Sequence, residues 1–123
     1  MTPLVVVATI AAGALGALLR YVATLAFGPS GLRVPRAVLV VNVAGSLVGG
    51  LLLGLVDAGV APEELRTVLV TGFAGGLTTF STLSVETMQL VLSGRVRTAV
   101  LSIALNLVLG IGAATAGYLA IAL

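Results

Sequence analysis

Residues 72–84 read Gly-Phe-Ala-Gly-Gly-Leu-Thr-Thr-Phe-Ser-Thr-Leu-Ser, a glycine pair followed by five hydroxyl side chains within seven positions, inside a long apolar run. Glycine weakens a helix, and Ser and Thr side chains compete with the backbone for its own hydrogen bonds. The stretch therefore predicts a broken helix. In hydrocarbon each freed backbone N–H or C=O costs several kcal/mol unless something polar meets it, so the break must be buried in protein. It offers carbonyl oxygens where its first half ends and amide N–H groups where its second half opens. The chemistry open to these residues is ion handling.

Other polar groups within the apolar runs carry the same kind of information, since each is expensive unless it meets protein or water. Arg20, near the end of the first run, either snorkels to the interface or lines an electropositive vestibule for an anion. Asn42, early in the second run, is either glue between helices or a neutral N–H donor for an anion that sheds water. Thr98, Ser102, Asn106 and Gly110 recur at four-residue spacing in the last run and so share one helical face. That stripe reads either as interhelical hydrogen bonding or as a polar track. Phe80 follows the break directly and is one of five aromatic residues. A phenyl edge is the positive end of the ring quadrupole, so Phe80 serves either packing or a small desolvated anion. Gly45 and Gly49, and Gly110, Ala113 and Gly117, read as close helix packing.

The chain has no His, Cys or Lys and no carboxylate dyad, so a hydroxyl nucleophile finds no base and a transition metal finds no ligand set. An enzyme is not expected. The six cationic side chains are all Arg and form no run, which leaves nucleic-acid binding without support.

The elements that position these residues follow from hydropathy. Apolar residues make up 59% and charged residues 8% of the chain, with a mean hydropathy of +1.27, against about 45–50% and about 25% in soluble domains. The composition predicts an integral membrane protein. Cut at its polar punctuation, the chain gives one transmembrane domain of four spans, at about residues 4–27, 37–56, 65–92 and 98–123, the third broken near 75–79. Met1-Thr2-Pro3 lacks the positive charge of a secretory signal, and the first run continues past Arg20, so it is kept as a mature span. Ala61-Pro62-Glu63-Glu64 marks a helix start. The first connection carries Arg33 and Arg36, the third Arg95 and Arg97, and the middle one Arg66 alone, which predicts cytoplasmic first and third connections and outward termini.

Taken together, the string from Gly72 to Thr82, Arg20, Asn42 and Glu86 resemble the Fluc (CrcB) fluoride channels of bacteria, and the likeness covers the whole chain. It implies an all-α cell-membrane protein assembled as an antiparallel, dual-topology dimer with two pores through which fluoride leaves the cytoplasm passively. It also implies a structural, untransported sodium ion on the dimer axis, held by the backbone carbonyls of Gly75 and Thr78. Phe80 would face fluoride, Asn42 would donate to it, Ser81, Thr82, Ser102 and Asn106 would line the polar track, and Arg20 would line the vestibule. One position departs from the pattern: a second Phe commonly stands three residues after the first, and here it is Leu83. With the uneven arginines, this points to a subunit of fixed orientation paired with an oppositely inserted homologue, the homodimer being the alternative. A small multidrug exporter, the rival of similar size, needs a membrane-embedded carboxylate, typically in the first span. That span holds Arg20 and no acid, which leaves Glu86 as the only candidate.

Overall fold

The computed structural model describes residues 1–123. Helix α1 spans Pro3–Phe27, with proline in its first turn and Thr2 Oγ1 accepting the Val5 amide at 3.2 Å. It stops at Gly28, whose φ of 69° lies in the left-handed region that side-chain-bearing residues avoid. Helix α2 runs over Arg36–Asp57, behind Pro35. The third span is composite: α3 at Glu63–Arg66, wider π turns over Thr67–Ala74, one further α turn, α4, at Gly75–Leu77, and α5 at Ser81–Leu92. Helix α6 closes the chain at Val96–Ala122.

Four spans, Pro3–Phe27, Arg36–Asp57, Glu63–Leu92 and Val96–Ala122, are long and apolar enough to cross a membrane. At about 1.5 Å per residue, even the 22-residue α2 exceeds the roughly 30 Å of a hydrocarbon core. Burial runs opposite to a water-soluble domain. Only 17 of the 123 residues are buried, while Leu4, Ile10, Leu18, Val100, Leu107 and Ile111 are among many apolar side chains turned outward. Water cannot be the solvent of that surface, and the fold is a multi-pass membrane protein.

With no apolar driving force between helices in lipid, close backbone approach has to hold them, and small residues permit it. Helix α1 packs along the π turns and α4, and α2 pairs most extensively with α6. At the first seam, a Cβ added at Gly16 would collide with the Phe73 carbonyl and stand 2.8 Å from the Leu77 amide. One at Gly72 would lie 2.6 Å from the Thr9 carbonyl, and one at Gly76 would collide with Gly13. At the second seam Gly50 meets Ala114, and Gly117 meets the backbone of Leu47 and Leu51. The packing expected at Gly45, Gly110 and Gly117 is present, with Gly45 facing Thr78 and Gly110 facing Ser46 Oγ. Gly49 differs: no atom would lie within 4 Å of a Cβ there, because it borders an open groove.

Candidate functional site: the broken third span

The break falls at Thr78–Phe80, slightly later than the glycines suggest. Gly75 and Gly76 remain helical, Thr78 is extended at φ −78°, ψ 157°, and Phe80 returns to φ −91°, ψ −34° before α5 starts. Gly76 serves the backbone contact with α1 rather than the break itself.

Asn42 holds the broken segment from α2. Its Oδ1 accepts the Thr79 amide at 2.8 Å, and its Nδ2 donates to the Thr79 carbonyl at 3.1 Å and to Asn106 Oδ1 at 3.0 Å. One side chain thus treats the Thr79 peptide as a neighbouring strand would, satisfying both of its polar groups. Asn106 Nδ2 donates in turn to the Ser102 carbonyl at 2.9 Å, and Ser46 Oγ donates to the Asn42 carbonyl at 2.8 Å. Both N–H groups of Asn42 are in use, whereas Asn106 has one left. Ser102 is fully buried, and its hydroxyl has no partner.

Thr79, 9% exposed, is the hub that the sequence reading passed over. Its Oγ1 accepts the Thr82 amide at 3.1 Å, donates to Thr82 Oγ1 at 3.1 Å and lies 3.3 Å from Ser81 Oγ. The signal that could have found it is the three-residue spacing of Thr79 and Thr82 at the start of a helix, where a hydroxyl caps an amide in its first turn.

The Gly75 and Thr78 carbonyls are among those left over at the break. In an unbroken helix the Thr79 amide would bond the Gly75 carbonyl and the Thr82 amide the Thr78 carbonyl. Asn42 Oδ1 and Thr79 Oγ1 have taken those two amides, and no turn amide or side chain replaces them. Gly76 fares differently: its carbonyl accepts Arg20 Nε at 3.3 Å. Arg20 therefore places its charge where the first half of the span ends, the negative pole of that half-helix. It also borders a cavity of about 40 Å³ with Thr24, Val41, Thr79 and Thr82.

The remaining candidates divide by side. Phe80 projects away from the chain, 81% exposed, over a groove of about 270 Å³ shared with Asn42, Ser46, Thr78, Thr79 and Leu83. No charged side chain lines that groove. Gly75 and Thr78 border a second open groove of about 610 Å³, with Gly45, Gly49, Ala114 and Tyr118 among its walls. Thr82 and Glu86 lie at a third cavity of about 410 Å³ that includes Arg36 and Ser30, and Glu86 Oε2 is buried without a partner. The structure joins the side chains of Asn42, Ser81, Thr82 and Asn106 into one hydrogen-bonded system through Thr79, reaches Ser102 only by its backbone carbonyl, and leaves the Phe80 ring outside it. No three Asp, Glu, His or Cys side chains converge anywhere, so a cation would find only uncharged oxygens at the break.

A four-span membrane protein whose third span is split by a polar, side-chain-clamped break is the class that fold and site define. The family model described as CrcB-like protein, Camphor Resistance (CrcB), matches residues 7–118, and the chain belongs to that family. A fluoride-specific ion channel FluC of Deinococcus radiodurans is 45% identical over 107 residues, 85% of each chain. One from Thermus thermophilus is 44% identical over 107 residues, 86% of each chain. Fluoride-specific ion channel FluC 1 of Leifsonia xyli is 41% identical over 118 residues, 95% of this chain and 86% of its own.

Proposed function

We propose that the chain forms a fluoride-specific channel, through which the anion passes down its electrochemical gradient and leaves the cytoplasm. The observation that carries this reading is the uncharged groove at the break, where Phe80 stands exposed beside the neutral side chains of Asn42, Ser46, Thr78 and Thr79. Fluoride gives up water readily only to groups that replace it, and a ring edge with hydroxyl and amide N–H groups does so without a full opposite charge. A fixed cation in the groove would trap the ion. The relatives named as fluoride-specific channels supply the choice of halide. Asn42 reaches the anion by exchanging one of its two N–H bonds, with Asn106, its acceptor, behind it.

The groove is open on one face, so the pathway forms between two subunits, which we place antiparallel. A sodium ion fits the residues at their contact. The Gly75 and Thr78 carbonyls lack their helical donors and border an open groove, and freed carbonyls at bilayer depth need a polar occupant. Those two carbonyls would hold the ion, whose fixed charge would tie the broken spans together without being carried across. Leu83, which shares the Phe80 groove, and the uneven arginines favour an oppositely inserted homologue over a second copy as the partner. Arg20 and Thr82, with the cavity that holds Glu86 and Arg36, lie on the approach to the break.

The test is growth of a bacterial strain that lacks its own fluoride exporter, with the chain expressed alone and alongside any homologue encoded beside it. Restored growth on fluoride, with unchanged tolerance to quaternary ammonium dyes, is the expected outcome. Dye resistance without fluoride resistance would instead favour the multidrug exporter.

A further inference from the structure

The Gly75 and Thr78 carbonyls, left without donors, stand three positions apart, and the amides they would have bonded have been captured by two different side chains. Asn42 reaches in from α2 for the Thr79 amide, and Thr79 reaches forward for the Thr82 amide. Glycine and sequence propensity alone do not produce that pattern. A simple helix stop frees a run of carbonyls together, whereas here the intervening Gly76 carbonyl is covered by Arg20. Gly75 and Thr78 are bared, the Leu77 carbonyl between them likewise meets no turn amide or side chain, and Gly76 alone is held.

We propose that Asn42 and Thr79 are positioning residues that create the cation site by amide capture. Neither side chain touches the ion. Each diverts the one amide that would close its carbonyl, so that the carbonyls of Gly75 and Thr78 face the open groove. The inference rests on the sodium reading above and deepens it. It also links two parts of the molecule, because the Asn42 that clamps Thr79 is the same Asn42 that lines the groove beneath Phe80. Asn106 supports this by accepting the second Asn42 N–H, which fixes the orientation of the amide so that its oxygen faces Thr79.

The experiment measures the thermal midpoint of the purified assembly in detergent, in sodium and in N-methyl-D-glucamine, for wild type, Thr79→Val, Thr79→Ser and Phe80→Ile. The wild type should melt higher in sodium, Thr79→Val should lose that difference, and Thr79→Ser, which keeps the hydroxyl, should retain it. Phe80→Ile should lose fluoride flux but keep the sodium response. A wild type indifferent to sodium would remove the cation reading itself. A wild type and Thr79→Val that respond equally would leave the cation in place and overturn amide capture. Should Thr79→Val not fold, carbonyl ¹³C shifts of the wild type decide: sodium should move Gly75 and Thr78 and leave Gly76 unmoved, and equal movement of all three would overturn the proposal.

Discussion

The two sides of the break are built to opposite rules. On the closed side, the Thr79 peptide, Asn42 of α2 and Asn106 of α6 satisfy one another within a few ångströms. On the other side, the Gly75 and Thr78 carbonyls have no donor and Phe80 has no neighbour to bury it. Polar groups cost several kcal/mol when left unmet in hydrocarbon, so the difference cannot be accidental. One side is finished by the chain itself, and the other is the side on which the proposed ion and partner would act. The chain closes its own hydrogen bonds where it holds the break and is open where the proposed ion and partner would sit.

The comparison can be broken first at its exposed side. Phe80→Ile keeps the apolar character but removes the ring edge, and fluoride efflux from liposomes should fall about a hundredfold, ~2.7 kcal/mol of barrier, with assembly unchanged by size-exclusion chromatography. Unchanged efflux would take Phe80 out of the mechanism. At the seam with α1, which carries the helical half before the break, the fold should be sensitive to a single methyl. Gly76→Ala sets a Cβ against the Gly13 backbone, which cannot swing away, and should destabilise the fold by about 1–3 kcal/mol in detergent unfolding. Gly49→Ala, facing the open groove, should leave the unfolding of the separated subunit unchanged and weaken assembly instead.

Smaller effects sharpen the same contrast. Asn106→Leu removes the acceptor of one Asn42 N–H, and interhelical hydrogen bonds in membranes are worth about 0.6 kcal/mol, at most about 1.7. Its unfolding midpoint should drop by that modest amount, while fluoride efflux slows because Asn42 loses its fixed orientation. Tyr118→Phe loses the 3.0 Å bond to Asp57 Oδ2 at the exposed end of α2 and should change stability by less than about 0.5 kcal/mol. A larger loss there would mean that the helix ends, not the break, hold the bundle.

The four helices were legible because a lipid-facing span has to be long and apolar, and hydropathy records that directly. The break was legible for the same reason, since nothing but a buried irregularity puts five hydroxyls there. Its details were less so. Glycine at Gly75 and Gly76 reads as freedom of the backbone, but both stay helical, and at Gly76 the missing side chain makes room for α1. Composition cannot separate room from flexibility. Gly13, Gly16 and Gly50 went unremarked for a related reason: which small residues meet across a seam depends on helix rotation, which one sequence does not fix. Asn42 allowed two readings, and the bonding found here is the structural one, with a donor role left to the proposed mechanism. Thr79 was hidden among equivalent-looking hydroxyls, and only its position relative to Asn42 makes it the hub.

The most direct measurement uses the chain purified by a tag from the membranes of its own host, together with any homologue it retains. It is reconstituted into liposomes loaded with fluoride or with chloride, and efflux is followed by ion-selective electrode. Fluoride should leave rapidly on dilution while chloride stays, and the chain without a retained homologue should show whether one subunit type suffices. Liposomes that hold fluoride as tightly as chloride, or release both alike, would contradict the account.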